Sequence, residues 1–390
     1  MPRIAGRYER TVVGGEEVAA FVPEPLPPSG PPLSLDADTT ELHRRAGHEL
    51  ARLELASEMV PSVDWFIYGF VRKEAVISSQ IEGTQATLID LLKFEAQPDD
   101  EVSPNADVQD VCNYLEALDY ARGQLHREDG LPISTRLLNE AHRRLMQGVR
   151  GEDKQPGEVR RSQNWIGGTR PGNAAFVPPP PHALGDVLGN FEKYIHAEDD
   201  LPPLVRAGLV HAQFETIHPY LDGNGRIGRL LVSLLLEQWD LLSQPLLYLS
   251  VYFKQNRPEY YRRLDAVRTE GAWEDWTRFF LEGVATVAAE ATATARDLFA
   301  LVSTDRSRAL AAPKSSVMAV RLFEELPRHP MVTIARVTEL LETTKPTATK
   351  AVNTLVNAEI LTETTGRRRD RTFSYAAYLD RLRVGTELEG

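Results

Sequence analysis

The chain is almost without cysteine: Cys112 is the single one among 390 residues. One thiol cannot close an intrachain disulfide, and such usage fits a reducing cytoplasm. No run approaches the ~18 consecutive apolar residues that a membrane-crossing helix needs. The first residues, Met1 to Arg7, carry no apolar signal core. Positive charge is also short. The net charge of −12 argues against a protein that coats nucleic acid along its whole surface. There is no internal repeat and no Gly-Lys-Ser/Thr phosphate loop. What is present is 42% apolar and 26% charged residues, the composition of a soluble globular protein long enough for two or three domains.

The most informative stretch is His218-Pro219-Tyr220-Leu221-Asp222-Gly223-Asn224-Gly225-Arg226-Ile227-Gly228-Arg229, followed at once by the apolar run Leu230 to Leu236. It reads as a loop feeding a helix N-terminus. Gly223 and Gly225 permit close approach of backbone to a ligand. The first amides of the following helix have no partner inside it and point outward with the positive end of its dipole, which makes an anion site. Arg226 and Arg229 lie three apart, on one face of the first turn, where both can engage a phosphate chain. His218 supplies a titratable base, and Asp222 a hard oxygen ligand suited to magnesium. Gly223 to Gly228 also reads as G-x-G-x-x-G. The dinucleotide version of that motif must follow a strand. Here Leu204 to Ile217 shows no alternation and predicts a helix, so that option falls.

These residues resemble the signature of the Fic family, H-P-F-x-D/E-G-N-G-R-x-x-R, with Tyr220 where Phe is usual. Tyr220 is expected to pack inward and to need a partner for its hydroxyl. The resemblance implies a protein adenylyltransferase that moves AMP from ATP to a Ser, Thr or Tyr hydroxyl of target proteins or of itself. His218 would be the general base and Asp222 the Mg2+ ligand. Gly223, Asn224, Gly225, Arg226, Ile227, Gly228 and Arg229 would line the ATP phosphates, with the Asn224 side chain and the amides of residues 223 to 225 at the α-phosphate. An acidic rather than basic residue at position 222 points away from the family's kinase-like members. Two alternatives stay open: a Fic transferase using another nucleotide donor, and a DNA-binding regulator whose Fic core senses nucleotides.

Upstream, Ser78-Ser79-Gln80-Ile81-Glu82-Gly83 closes a helix predicted over about 64–83, with Ser78 and Glu82 four apart on one face. By itself this is a polar face before a cap. Beside the loop it is similar to the family's inhibitory motif, S/T-x-x-x-E-G/N. The resemblance implies that Glu82 pairs with Arg229 and takes the place of the γ-phosphate. Residues 157–181 predict a β-hairpin, and the resemblance implies Gly167, Gly168 and Thr169 within it as ATP-binding residues. In the family a flap at this place covers the active site and docks the target segment. Tyr260 and Tyr261 match a pair that the family places near the nucleotide base.

The chain therefore reads as mostly α, with a Fic-type helical core, a small β-hairpin flap and a C-terminal winged helix-turn-helix. The expected division is an N-terminal arm and inhibitory region at 1–105, a core at 106–290, a connecting helix at 291–312 and the winged helix at 313–390. Residues 1–37 are expected as an extended, proline-rich arm. Thr39 or Thr40 is expected to cap the first helix. From Pro313 to Arg383 there are 12 Lys and Arg against 8 Asp and Glu. The basic residues gather in the third helix and in a turn at Arg367, Arg368 and Arg369, where DNA phosphates could be met. A homodimer is expected from the family, with ATP and target proteins as partners and no membrane.

Overall fold

The computed structural model describes residues 3–58, 63–97, 104–149, 151–313, 315–366 and 370–388. The wing arginines Arg367, Arg368 and Arg369 lie outside them. The chain divides into two compact units, each made of two segments. One is Met1–Ala51 with Asn113–Ala288; the other is Arg52–Cys112 with Ala289–Gly390.

In the first unit the N-terminal stretch is not an extended arm. Strands β1 (Gly6–Val13) and β2 (Glu16–Pro23) pair antiparallel from Gly6 opposite Pro23 to Val13 opposite Glu16. The turn is Gly14-Gly15, both at positive φ (57° and 85°). Two central residues of that kind are what a tight hairpin connection requires. Helix α1 (Ala37–Glu58) follows. Its cap is Asp36, whose carboxylate accepts from the Thr39 amide at 2.8 Å. Thr39 and Thr40, the expected caps, sit inside the helix.

Helix α2 (Val63–Ile81) ends two residues earlier than the sequence suggests. Glu82 and Gly83 form a tight turn, their amides donating to Ser79 and Gln80, with Gly83 at φ +99°. A short helix not anticipated from sequence, α3 (Leu88–Glu95), starts from a reciprocal Thr87–Asp90 capping box. Then come α4 (Ala106–Leu125), α5 (Thr135–Leu145), α6 (Leu184–His196), α7 (Pro203–Ile217), α8 (Asn224–Gln238), α9 (Ser250–Gln255), α10 (Arg257–Glu270) and α11 (Trp273–Ala311). Pro258 sits in the first turn of α10, where its missing N–H costs nothing. Thirteen of the fifteen residues of α7 are buried, which makes it the axis of this unit. Trp276 on α11 donates its indole N–H to the Gly208 carbonyl of α7 at 2.8 Å.

The expected hairpin over 157–181 is reduced to one bridge, Ile166 with Phe176. The intervening chain is bent by a 3-10 turn at Pro171–Asn173. The consecutive prolines from Pro178 to Pro181 remove four amide donors and end the pairing. The first hairpin backs this segment. Phe21 donates its amide to the Val177 carbonyl, Glu16 accepts from Arg170 and from the Gly172 amide, and Val18, Ala20 and Val177 share a small core.

In the second unit, α12 (Val317–Glu325), β3 (Met331–Thr333), α13 (Ile334–Leu340), α14 (Lys345–Asn357), β4 (Thr362–Glu363), β5 (Thr372–Ser374) and α15 (Ala376–Leu382) follow in order. The three strands form an antiparallel sheet ordered β3-β5-β4. Strand β3 and helix α15 are additions to the sequence reading. Thr333 caps α13, accepting from the Arg336 amide.

Candidate functional site

The site is the connection between α7 and α8. His218 is the C-cap of α7 in the left-handed conformation, with φ 49° and ψ 62°. A non-glycine residue rarely adopts that shape, and such strain gathers at functional sites. Arg160 holds it there. Its guanidinium, 2% exposed, donates to the carbonyls of His218 (2.9 Å), Ser162 and Pro179. Its own amide donates to the Pro219 carbonyl. Burial pushes the Arg160 pKa down to about 10.

The middle of the loop is tied by Asn224. Its side-chain oxygen accepts the Tyr220 amide, and its side-chain nitrogen donates to the Tyr220 carbonyl, each at 2.8 Å. That side chain therefore ties the loop together through both its oxygen and its nitrogen. What the loop offers an anion is the backbone of residues 224 and 225 at the start of α8, since the Gly223 amide goes to Asp222. Tyr220 is buried, and its hydroxyl finds the partner that the sequence required, donating to Asn139 at 2.9 Å.

The far side of the loop rests on α5. His142 stacks flat on the Tyr220 ring, with centroids 3.9 Å apart and planes 5° apart. Its Nδ1 accepts the Gly157 amide at 2.8 Å, and its Nε2 meets the Asp222 carbonyl at 3.0 Å. Burial lowers its pKa to about 4. Gly223 caps α8 at φ +75°. A Cβ there would lie 2.9 Å from Met146 Sδ and 3.3 Å from His142, so glycine is required twice over.

Asp222 is half-buried, and one carboxylate oxygen accepts the Gly223 amide at 2.6 Å. No cluster of three or more metal-ligating side chains exists among the described residues. A magnesium ion does not need one, because it keeps several waters and is commonly held by one or two carboxylates plus substrate phosphates. The donor set here fits that mode. Arg226 and Arg229 are both buried, at 5% and 3% exposed. Ile227 is buried in the core. Gly228 lets α8 press on α7, and its carbonyl bonds to His211.

Other expected residues divide. Gly167 and Gly168, at φ 67° and 72°, make the bend of the flap, and Thr169 is tied to Asn173 on its exposed surface. Tyr261 is 44% exposed, but Tyr260 is 1% exposed. The Tyr260 hydroxyl bonds to His211 Nε2 at 2.9 Å, and its ring packs with Phe253 and Trp276. Tyr260 is a core residue and not a wall for a nucleotide base. In the second unit Ser78 is fully buried, whereas Glu82 and Gly83 are exposed. They do not share one environment, because the helix ends between them.

Two residues of consequence, Arg160 and His142, were not singled out from sequence. A signal was available for the first. An arginine three after Gly157, before a run whose backbone must turn sharply, is a ready donor to orphaned carbonyls.

Residues 40–122 match the Fic/DOC family N-terminal model, and residues 132–236 match the Fic/DOC family model. A protein adenylyltransferase Fic from Drosophila grimshawi is 33% identical over 154 residues, which is 39% of this chain and 29% of that protein. One from Culex quinquefasciatus is 33% identical over 152 residues, or 38% and 27%. The chain thus covers less than a third of these relatives. Among solved structures, a Fic family protein from Desulfovibrio desulfuricans G20 superposes with a TM-score of 0.56 at 19% identity, covering 88% of this chain and 97% of that one. A Fic domain containing signaling protein from Bacteroides thetaiotaomicron gives 0.50 at 17%, covering 64% and 96%. At those identities the likeness is one of fold.

Proposed function

From a chain that carries a Fic/DOC N-terminal segment and a Fic/DOC domain, we propose a protein adenylyltransferase using ATP. The observation that carries the reading is the loop itself. A strained histidine, a half-buried aspartate and the open N-terminus of α8, with two buried arginines in its first turns, lie within twelve residues. In this reading the target hydroxyl oxygen attacks the α-phosphorus, and its proton passes to His218. The bond from that phosphorus to the bridging oxygen breaks, and pyrophosphate leaves against Arg226 and Arg229. The backbone amides of residues 224 and 225, with the Asn224 side chain beside them, meet the charge that develops on the α-phosphate. Asp222 would hold magnesium, which neutralises the phosphates when bound. The flap around Gly167, Gly168 and Thr169 would align a target segment by backbone pairing. Tyr261 is the residue left to face a base. The single cysteine suits a cytoplasmic setting.

The test is incubation with α-labelled ATP, magnesium and native lysate, then identification of labelled proteins. A panel of other labelled nucleotides run beside it checks the donor. Label from another nucleotide and none from ATP would replace ATP in this scheme.

The upstream motif supports a restraint on transfer. Glu82 would compete with the γ-phosphate for Arg229, so that ATP binds without its productive pose.

A second reading has one observation in its favour. Helix α14 exposes Lys345, Pro346, Lys350, Asn353 and Asn357 along one side, beside an open groove of about 660 Å³. Such a face suits duplex DNA, with the C-terminal segment acting as a winged helix. Replacing Lys345 and Lys350 together by alanine is expected to weaken retention alike on unrelated sequences and to flatten the salt dependence by about two contacts. No salt-sensitive retention of DNA by the wild type would remove the reading.

A further inference from the structure

We propose that His142 is a positioning residue for Asp222, setting the direction of the Asp222 carboxylate through the backbone beneath it. The inference rests on the reading of Asp222 as the metal-bearing residue.

The geometry fixes the tautomer. The Gly157 amide can only donate, and it meets Nδ1 at 2.8 Å. Nδ1 is therefore the acceptor, and the neutral ring carries its proton on Nε2. The Asp222 carbonyl can only accept, and it lies 3.0 Å from Nε2. The imidazole bridges two backbone points 65 residues apart in sequence, one with each nitrogen. A phenyl ring would fill the same space and make neither bond.

The ring cannot slide. The Tyr220 ring stacks on it at 3.9 Å, and Tyr220 is itself pinned through its hydroxyl to Asn139. Gly223 sits directly over His142 and Met146 with no room for a Cβ. The peptide joining Asp222 to Gly223 is thus held from below by a hydrogen bond and a close contact. The Asp222 carboxylate folds back onto that same unit, accepting the Gly223 amide at 2.6 Å. Its other oxygen lies over Gly151, where a Cβ would come within 2.9 Å. Rotating this peptide would swing the carboxylate with it. A group that orients a ligand residue in this way typically changes metal affinity 10- to 100-fold when removed.

The experiment measures magnesium binding to the full chain in the presence of ADP by titration calorimetry, with folding followed by thermal melting. Three variants are compared with wild type. Asp222→Asn reports on the underlying reading. His142→Phe keeps the stacked ring and removes both hydrogen bonds. His142→Asn keeps an acceptor near Gly157 and cannot reach the Asp222 carbonyl. The expected result is that magnesium weakens at least tenfold in Asp222→Asn, and between 10- and 100-fold in both His142 variants, with ADP alone bound as in wild type. If Asp222→Asn loses magnesium while a folded His142 variant stays within threefold of wild type, the positioning role is overturned and the Asp222 reading stands. If Asp222→Asn binds magnesium normally, the Asp222 reading is lost and the inference with it. If neither His142 variant folds, His142 is a packing residue and the assignment is withdrawn.

Discussion

At the scale of single residues, His218 and Tyr260 show what a sequence can carry and what it cannot. His218 is legible because the neighbouring Pro, Asp, Asn, Gly and Arg leave little else for the segment to do. It caps a buried helix and donates its amide to Phe214. His218→Ala should therefore lower AMP transfer by at least 10²-fold, the scale of general-base catalysis, with an unchanged melting temperature. Transfer within tenfold of wild type would remove the role. Tyr260 and Tyr261 are adjacent, so they point about 100° apart on α10, and sequence cannot say which one faces the core. The partner that decides it, His211, is 49 residues away on another helix. Tyr260→Phe would leave His211 Nε2 without its donor in a buried setting, at a cost of about 1–3 kcal/mol. The melting temperature should fall while the KM for ATP stays as in wild type. A changed KM with unchanged stability would return Tyr260 to the nucleotide site.

At the scale of elements, the long amphipathic helices were legible because their apolar residues recur at the helical period and are buried as the period implies. Helix α7, read from Leu204 to Ile217, spans Pro203–Ile217 and is buried nearly all round rather than on one face. The misses are short. The turn of β1 and β2 was written as Gly14-Gly15 between strand-forming residues, but the prolines from Pro23 onward drew the whole stretch into an extended reading. Strand β3 has three residues, too few for a periodic signal. Helix α2 stops at Ile81 because Gly83 takes a positive φ, and this moves Glu82 from a helical face into an exposed turn. Glu82→Gly should raise self-modification and target modification well above wild type while the melting temperature stays close to it. Arg229→Ala should not mimic this gain, since it removes the phosphate anchor together with the proposed restraint, and the double variant should resemble Arg229→Ala. A folded Glu82→Gly protein that binds ATP and transfers AMP no faster than wild type would make Glu82 an ordinary turn residue.

At the scale of the whole molecule, the order of elements was readable, but the pairing of distant segments was not. Residues 52–112 belong with residues 289–390. That association is made by contacts such as Gln80 donating to the Thr386 carbonyl and the Thr333 hydroxyl donating to the Ala96 carbonyl, none of which has a local signature. Each unit also holds histidines whose pKa is pushed down, His142 and His211 in the first and His329 in the second, and this has a consequence for acid stability. His211 in the first unit is enclosed by Gly228, Tyr260, Phe253 and Trp276, and burial pushes its pKa down to about 3. His329 in the second unit is lowered to about 4, mainly by burial and next by Arg336. Both are bases whose folded pKa lies below the unfolded value of about 6.5. Between those values the unfolded chain holds protons that the native chain lacks, so stability rises with pH and is lost as pH falls below 6.5. At pH 5 the loss is on the order of 2 kcal/mol per histidine, and it levels off for these groups near pH 3 to 4. Calorimetric melting at pH 7 and pH 5 should show lower transitions at pH 5 for both units. His211→Gln, which does not titrate, should flatten the pH dependence of the first unit by the share of one proton and leave the second unchanged. A melting temperature that rises on going to pH 5 would mean that these histidines charge in the native state.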